Sequence, residues 1–124
     1  MTADEFRSIA LAMDGAIERA HMGHPDFRAN GRIFATLHAD LRHGMVQLTP
    51  EQQQLYVRAQ PGAFTLEAGA WGRAGSTRVR LDEVDEDTLG EAMTLAWRNS
   101  HQSSARARPA KSRSTPPPRS RRAR

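Results

Sequence analysis

The chain has 124 residues, a length that fits one domain with one modest core and leaves no room for an active-site cleft between domains. It contains no cysteine, which excludes disulfide staples, thiolate catalysis and cysteine-based zinc sites. Its formal charge of +4 is unevenly placed: from His101 onward Arg106, Arg108, Lys111, Arg113, Arg119, Arg121, Arg122 and Arg124 meet no acid and give +8, while residues 1–100 set ten arginines against fourteen acids and are mildly acidic at −4.

The first residues, MTADEF, carry two acids, and no apolar run approaches the length of a signal core or a membrane span. A soluble, cytoplasmic protein without a membrane partner is expected. Phe6, Ile9, Ala10 and Met13 recur at helical spacing, with Thr2 or Asp4 as cap, and predict a first helix that ends at Gly15. Extended segments follow around residues 16–22 and 26–29. Asn30-Gly31 is a strong hairpin signal that returns the chain as a strand over 32–38, and residues 45–49 make another.

Thr49-Pro50-Glu51-Gln52 is a helix start, with threonine as cap, proline at the first position and glutamine placed for a capping box. Leu55, Tyr56 and Ala59 supply its buried side, and Gln60-Pro61-Gly62 stops it. After a strand over 64–67 comes the glycine-rich loop AGAWGRAGS, and residues 77–81 then alternate as a strand. Asp85 or Asp87 can cap a last helix in which Leu89, Met93, Ala96 and Trp97 face inward. Near Asn99 the apolar periodicity stops; residues 101–124 form a basic Arg/Pro/Ser-rich tail expected to be disordered, with Pro116 to Pro118 locally extended. The order helix, three or so strands, helix, two strands, helix predicts a two-layer α+β domain over residues 1–100, an antiparallel sheet with helices on one face.

The run Glu18…His21-Met22-Gly23-His24-Pro25-Asp26-Phe27-Arg28…Gly31-Arg32-Ile33-Phe34-Ala35 resembles the central motif of the MmcQ/YjbR-like family. Leu48…Pro50-Glu51, Trp71-Gly72…Gly75-Ser76-Thr77…Val79…Leu81 and Ala96-Trp97 resemble its further landmarks in the same order, so the likeness covers roughly residues 6–98; Ser76 stands where that family often has an aromatic. The resemblance implies a small two-layer fold similar to the frataxin (CyaY-like) and secretion-chaperone folds, and a DNA-binding role.

His21 and His24 stand three apart, the spacing of metal ligands on a helix, but Gly23 and Pro25 oppose a helix there. A turn in which a histidine and Asp26 hydrogen-bond backbone groups is the expectation. Glu18, His21 and Asp26 could form an acid/base group, yet no nucleophile sits at a recognisable spacing, so no enzyme activity and no cofactor are expected. The glycine-rich loop lacks the lysine of a phosphate loop and leads into a strand. It reads as a wing in which Trp71 anchors into the core, with base stacking as the alternative, and Arg73 sits near the tip as a solvated charge or a phosphate contact.

Alternation puts Arg78 and Arg80 on the sheet face opposite Thr77, Val79 and Leu81. The open face is expected to combine Arg28, Arg78, Arg80, Phe34, His38, Met45 and Gln47, a mixture that suits a nucleic-acid backbone, a dimer or partner surface, or plain solvent. The tail cations can neutralise phosphates without reading bases. The expectation is a non-enzymatic domain that binds DNA weakly and with little sequence preference through Arg28, Arg73, Arg78, Arg80 and the tail. The competing reading is a protein-interaction or chaperone-like module working through the open sheet face.

Overall fold

A computed structural model describes residues 1–21 and 23–107. Helix α1, Ala3–Leu11, starts from Thr2 in a reciprocal capping box with Glu5 and buries Phe6 and Ala10. Four strands follow, β1 (Ile17–His21), β2 (His24–Ala29), β3 (Arg32–Leu37) and β4 (His43–Gln47). Helix α2, Pro50–Ala59, carries the expected Thr49 and Gln52 capping box and proline start. Strand β5 (Phe64–Leu66), a one-turn helix α3 (Gly69–Arg73), strand β6 (Ser76–Arg80) and helix α4 (Glu86–Ala107) complete the described chain. Asp85 caps α4 by accepting from the Thr88 N–H at 2.7 Å.

The strands form one antiparallel sheet in the order β1-β2-β3-β4-β6-β5. The β2–β3 hairpin turns on Asn30 and Gly31, both at positive φ (57° and 75°), which suits the primed turn that matches strand twist. Phe27, Ala35, Val46, Val79 and Phe64 face Phe6 and Ala10 of α1 and Leu89, Ala92, Met93 and Ala96 of α4 in one apolar core. The α+β, two-layer architecture is therefore as the sequence predicts.

The elements differ from the expectation in three places. All four extended segments before α2 form strands, where the expected element order counts three or so. The glycine-rich loop is not an extended wing: its residues 69–73 close a helical turn, and the buried Gly72 packs so tightly that a Cβ would fall 1.8 Å from the Glu67 carbonyl oxygen. The last helix runs on to Ala107, seven residues past the expected boundary, because Ser, Gln, Ala and Arg tolerate helix when they extend one already nucleated. Arg108, Lys111, Arg113, Arg119, Arg121, Arg122, Arg124 and Pro116 to Pro118 lie outside the described residues.

Candidate nucleic-acid interface

Cross-strand partners share a face, so the register writes one row across the open side of all six strands: Arg19, Asp26, Thr36, Met45, Arg78 and Thr65. Arg28 and Arg80 lie on the same side, as the alternation predicts. Phe34 does not. Between Phe27 and Arg28 the β2–β3 register slips, so that Phe27 pairs with Ala35 but Arg28 with Ile33. Phe34 is the extra residue of this bulge. It turns into the core at 1% exposure, whereas Ile33, expected inside, emerges at 41%.

Two of the arginines of this face, Arg28 and Arg78, are held by carboxylates. Arg28 holds the buried Asp26 with two hydrogen bonds, Nε to Oδ1 at 2.9 Å and Nη2 to Oδ2 at 3.2 Å, and this bonding raises the Arg28 pKa against a smaller opposing effect of burial. Asp26 is thus the floor of an ion pair and not a turn residue. Arg78 donates to Glu67 at 3.2 Å, and the other Glu67 oxygen is 2.6 Å from His38 Nε2. Arg80 stands 3.8 Å from Asp82, both well exposed, a contact too loose to neutralise either. His43 pairs with Asp40, whose carboxyl is lowered to about 2 by the backbone N–H of Arg42 and by the His43 ring. Carboxylates therefore face most of the cations that the sequence assigns to DNA on the open face.

Glu18, the acid of the supposed acid/base group, instead pairs with Arg7 at 3.1 Å. Among the described residues no three His, Asp or Glu side chains gather as a metal site would need. No described helix is long and apolar enough to cross a membrane.

The end of the sheet is different. Beside the β2–β3 hairpin a groove of about 540 Å³ opens between Arg28, Arg32 and Ile33 on one side and Trp71 and Ala74 on the other, over a floor of Gln47, Ser76, Asn99 and Ser100. Its size lies within the roughly 300–1,000 Å³ of small-ligand sites. Trp71 is 75% exposed; it does not anchor in the core as expected, because the α3 turn holds Gly72 inward and so presents its neighbour outward. Arg32 and Arg73 are exposed and have no carboxylate partner among the described residues. The floor is rigidly bonded: Ser76 Oγ donates to Gln47 Oε1 at 2.7 Å, and the Asn99 amide donates to the Gln47 carbonyl and to Gln52 Oε1.

Arg32 and Ile33 escape the sequence reading because the bulge that turns Ile33 outward has no local sequence mark. Trp71 stands out in the sequence but reads as inward, since a tryptophan among glycines suits an anchor as well as a presented ring.

The profile of the YjbR family matches residues 11–99. The chain belongs to the YjbR family. Among solved structures this YjbR chain is similar to Deinococcus radiodurans protein DR2400, a DUF419 domain, with a TM-score of 0.66 at 19% identity over 77% of this chain and 75% of that one. At that identity the likeness concerns the fold alone. No curated protein matches the chain.

Proposed function

We propose that this YjbR chain is a non-enzymatic protein that binds DNA weakly and with little sequence preference. Its contacts are Arg32 and Arg73 at the groove end of the sheet, with the tail cations from Arg106 onward; Arg28 and Arg78 contribute less than the sequence suggests because Asp26 and Glu67 hold them, and Arg80 because it stands beside the acidic run that begins at Asp82. The observation that carries the reading is the polarity of the fold. Strand β6 begins beside the groove at Ser76 and ends at Arg80, where the acidic run Asp82, Glu83, Asp85, Glu86 and Asp87 follows. Helix α4 starts within that run and passes Asn99 and Ser100 on the groove floor. The last seven residues of the helix extend it by roughly 10 Å, so the tail follows in sequence from the groove side. The acidic run thus stands at the far end of β6, where it offsets Arg42 and Arg80, while Arg32 and Arg73 have no carboxylate partner among the described residues at the groove end, an arrangement that turns the groove end toward a polyanion.

The test is a titration of the full chain with duplex DNA at several salt concentrations. The affinity should fall linearly on a double logarithmic plot, and Arg32→Ala with Arg73→Ala should flatten the slope by about 2, near 0.9 for each phosphate no longer neutralised. Absence of binding at low salt would reject the reading. The open face favours a second role there: a row in which Thr36 and Met45 stand between the paired Asp26 and Arg78 suits a protein partner better than a phosphate backbone. If DNA does not bind, a partner at that face becomes the working account.

A further inference from the structure

A groove that served only to neutralise a duplex backbone would need charge and little else. This one offers a flat indole, with Trp71 three-quarters exposed beside the half-exposed Ile33, and the unpaired Arg32 at its rim. In the floor, Asn99 engages its amide nitrogen twice, while its carbonyl oxygen receives no donor among the described residues. Gln47 Nε2 makes only a long 3.5 Å contact to the Leu48 carbonyl. The floor therefore holds one acceptor and one donor with capacity to spare, below an aromatic wall. A base inside a duplex cannot enter such a site, since both its faces are stacked and its edge is paired. An unpaired base can do both at once.

We propose that the groove is a single-strand site, in which a base of an unpaired polynucleotide stacks on Trp71, its edge meets Asn99 and Gln47, and its phosphates run past Arg32. This rests on the DNA reading above and sharpens it to a strand type. The chemistry is shared by DNA and RNA single strands, because stacking and phosphate contacts do not need the sugar. Charge complementarity selects this occupant over an apolar one: Arg32 has no carboxylate partner among the described residues, and the basic tail follows the helix that lines the floor.

The experiment titrates the full chain with a labelled oligothymidylate, an oligouridylate of equal length and a duplex of equal length, and repeats all three with Trp71→Ala and Trp71→Phe. Because Trp71 is exposed, its loss should leave the thermal transition in place. Trp71→Ala should weaken single-strand binding by about 5- to 100-fold while changing duplex binding less than twofold, and Trp71→Phe should restore most of the loss. Equal binding of the two single strands assigns the site to bases and phosphates irrespective of sugar; a preference for one that persists when oligodeoxyuridylate replaces oligothymidylate, which removes the thymine methyl, names the strand. An unchanged oligothymidylate affinity in Trp71→Ala, with duplex binding intact, overturns the single-strand site and leaves the DNA reading standing. Loss of both in parallel also overturns it, as does full competition by a mononucleotide, which would make the groove a small-ligand site. If no nucleic acid binds, both proposals fall.

Discussion

Gln53 is the buried polar group on which the geometry of α3, and so of Trp71, depends. It is 1% exposed, and its amide nitrogen lies 3.0 Å from the Gly72 carbonyl, 3.1 Å from the Ser76 carbonyl and 3.1 Å from Thr77 Oγ1. Gln53→Leu removes these bonds at nearly constant shape. A neutral hydrogen bond is worth about 1 kcal/mol, and an acceptor left bare costs about 1–3 kcal/mol more. The Gly72 and Ser76 carbonyls each keep another partner, the N–H groups of Gly75 and Glu67, so the lower end applies. The sum is about 2–3 kcal/mol, or a fall in Tm of about 10–20 °C for a domain of this size.

Gln53→Glu is more discriminating. A carboxylate there would face three acceptors in a dry site, which raises its folded pKa above the unfolded value of about 4.3. Its protonated form can still donate one bond. The sign follows from linkage: stability is fully present below the unfolded pKa and is lost as pH rises through the raised folded value. Urea unfolding followed by circular dichroism should therefore show Gln53→Glu weaker than Gln53→Leu at pH 7, with its deficit against the unmodified chain shrinking as the pH falls toward 5. A pH-independent deficit, or a Gln53→Leu variant within about 0.5 kcal/mol of the unmodified chain, would refute the hub.

Two further outcomes test the core and its flank. At Gly44 a Cβ would lie 2.6 Å and 2.8 Å from the Phe6 ring, so Gly44→Ala should overpack the core and lose about 1–3 kcal/mol in urea unfolding, and Phe6→Leu in the same chain should cost less than it does alone. Tyr56, the one tyrosine, is pushed up to about 12 by burial and by its contact with Glu91; its ultraviolet titration should show that midpoint, Glu91→Gln should lower it, and stability should fall as pH rises from about 10 through it.

The legible parts of the fold were those where a local rule acts alone. Thr49-Pro50-Glu51-Gln52 places a helix start with its cap, and Asn30-Gly31 places a hairpin, because the backbone demands of those turns are met by few residues. The alternation that puts Arg78 opposite Thr77 and Val79 held for the same reason. Phe34 and Ile33 exchanged faces because one bulge resets the period, and a bulge is decided by how two strands pack, which neither strand states. The pairing of Arg28 with Asp26 could have been read, since residues two apart on a strand share a face; that of Arg78 with Glu67 needed the β5–β6 pairing. Helix α4 outran its sequence boundary because a helix already formed extends without a new nucleation penalty.

Backbone amide shifts in the full chain, followed during titration with an oligothymidylate, test the central claim most directly: that nucleic acid meets the groove end of the sheet and not the middle of its open face. The account predicts shifts concentrated at Gly31 to Ile33, Trp71 to Ala74 and Asn99 to Ser100. Shifts concentrated at Thr36, Met45, Arg78 and Arg80, or none at saturating oligonucleotide, would contradict it.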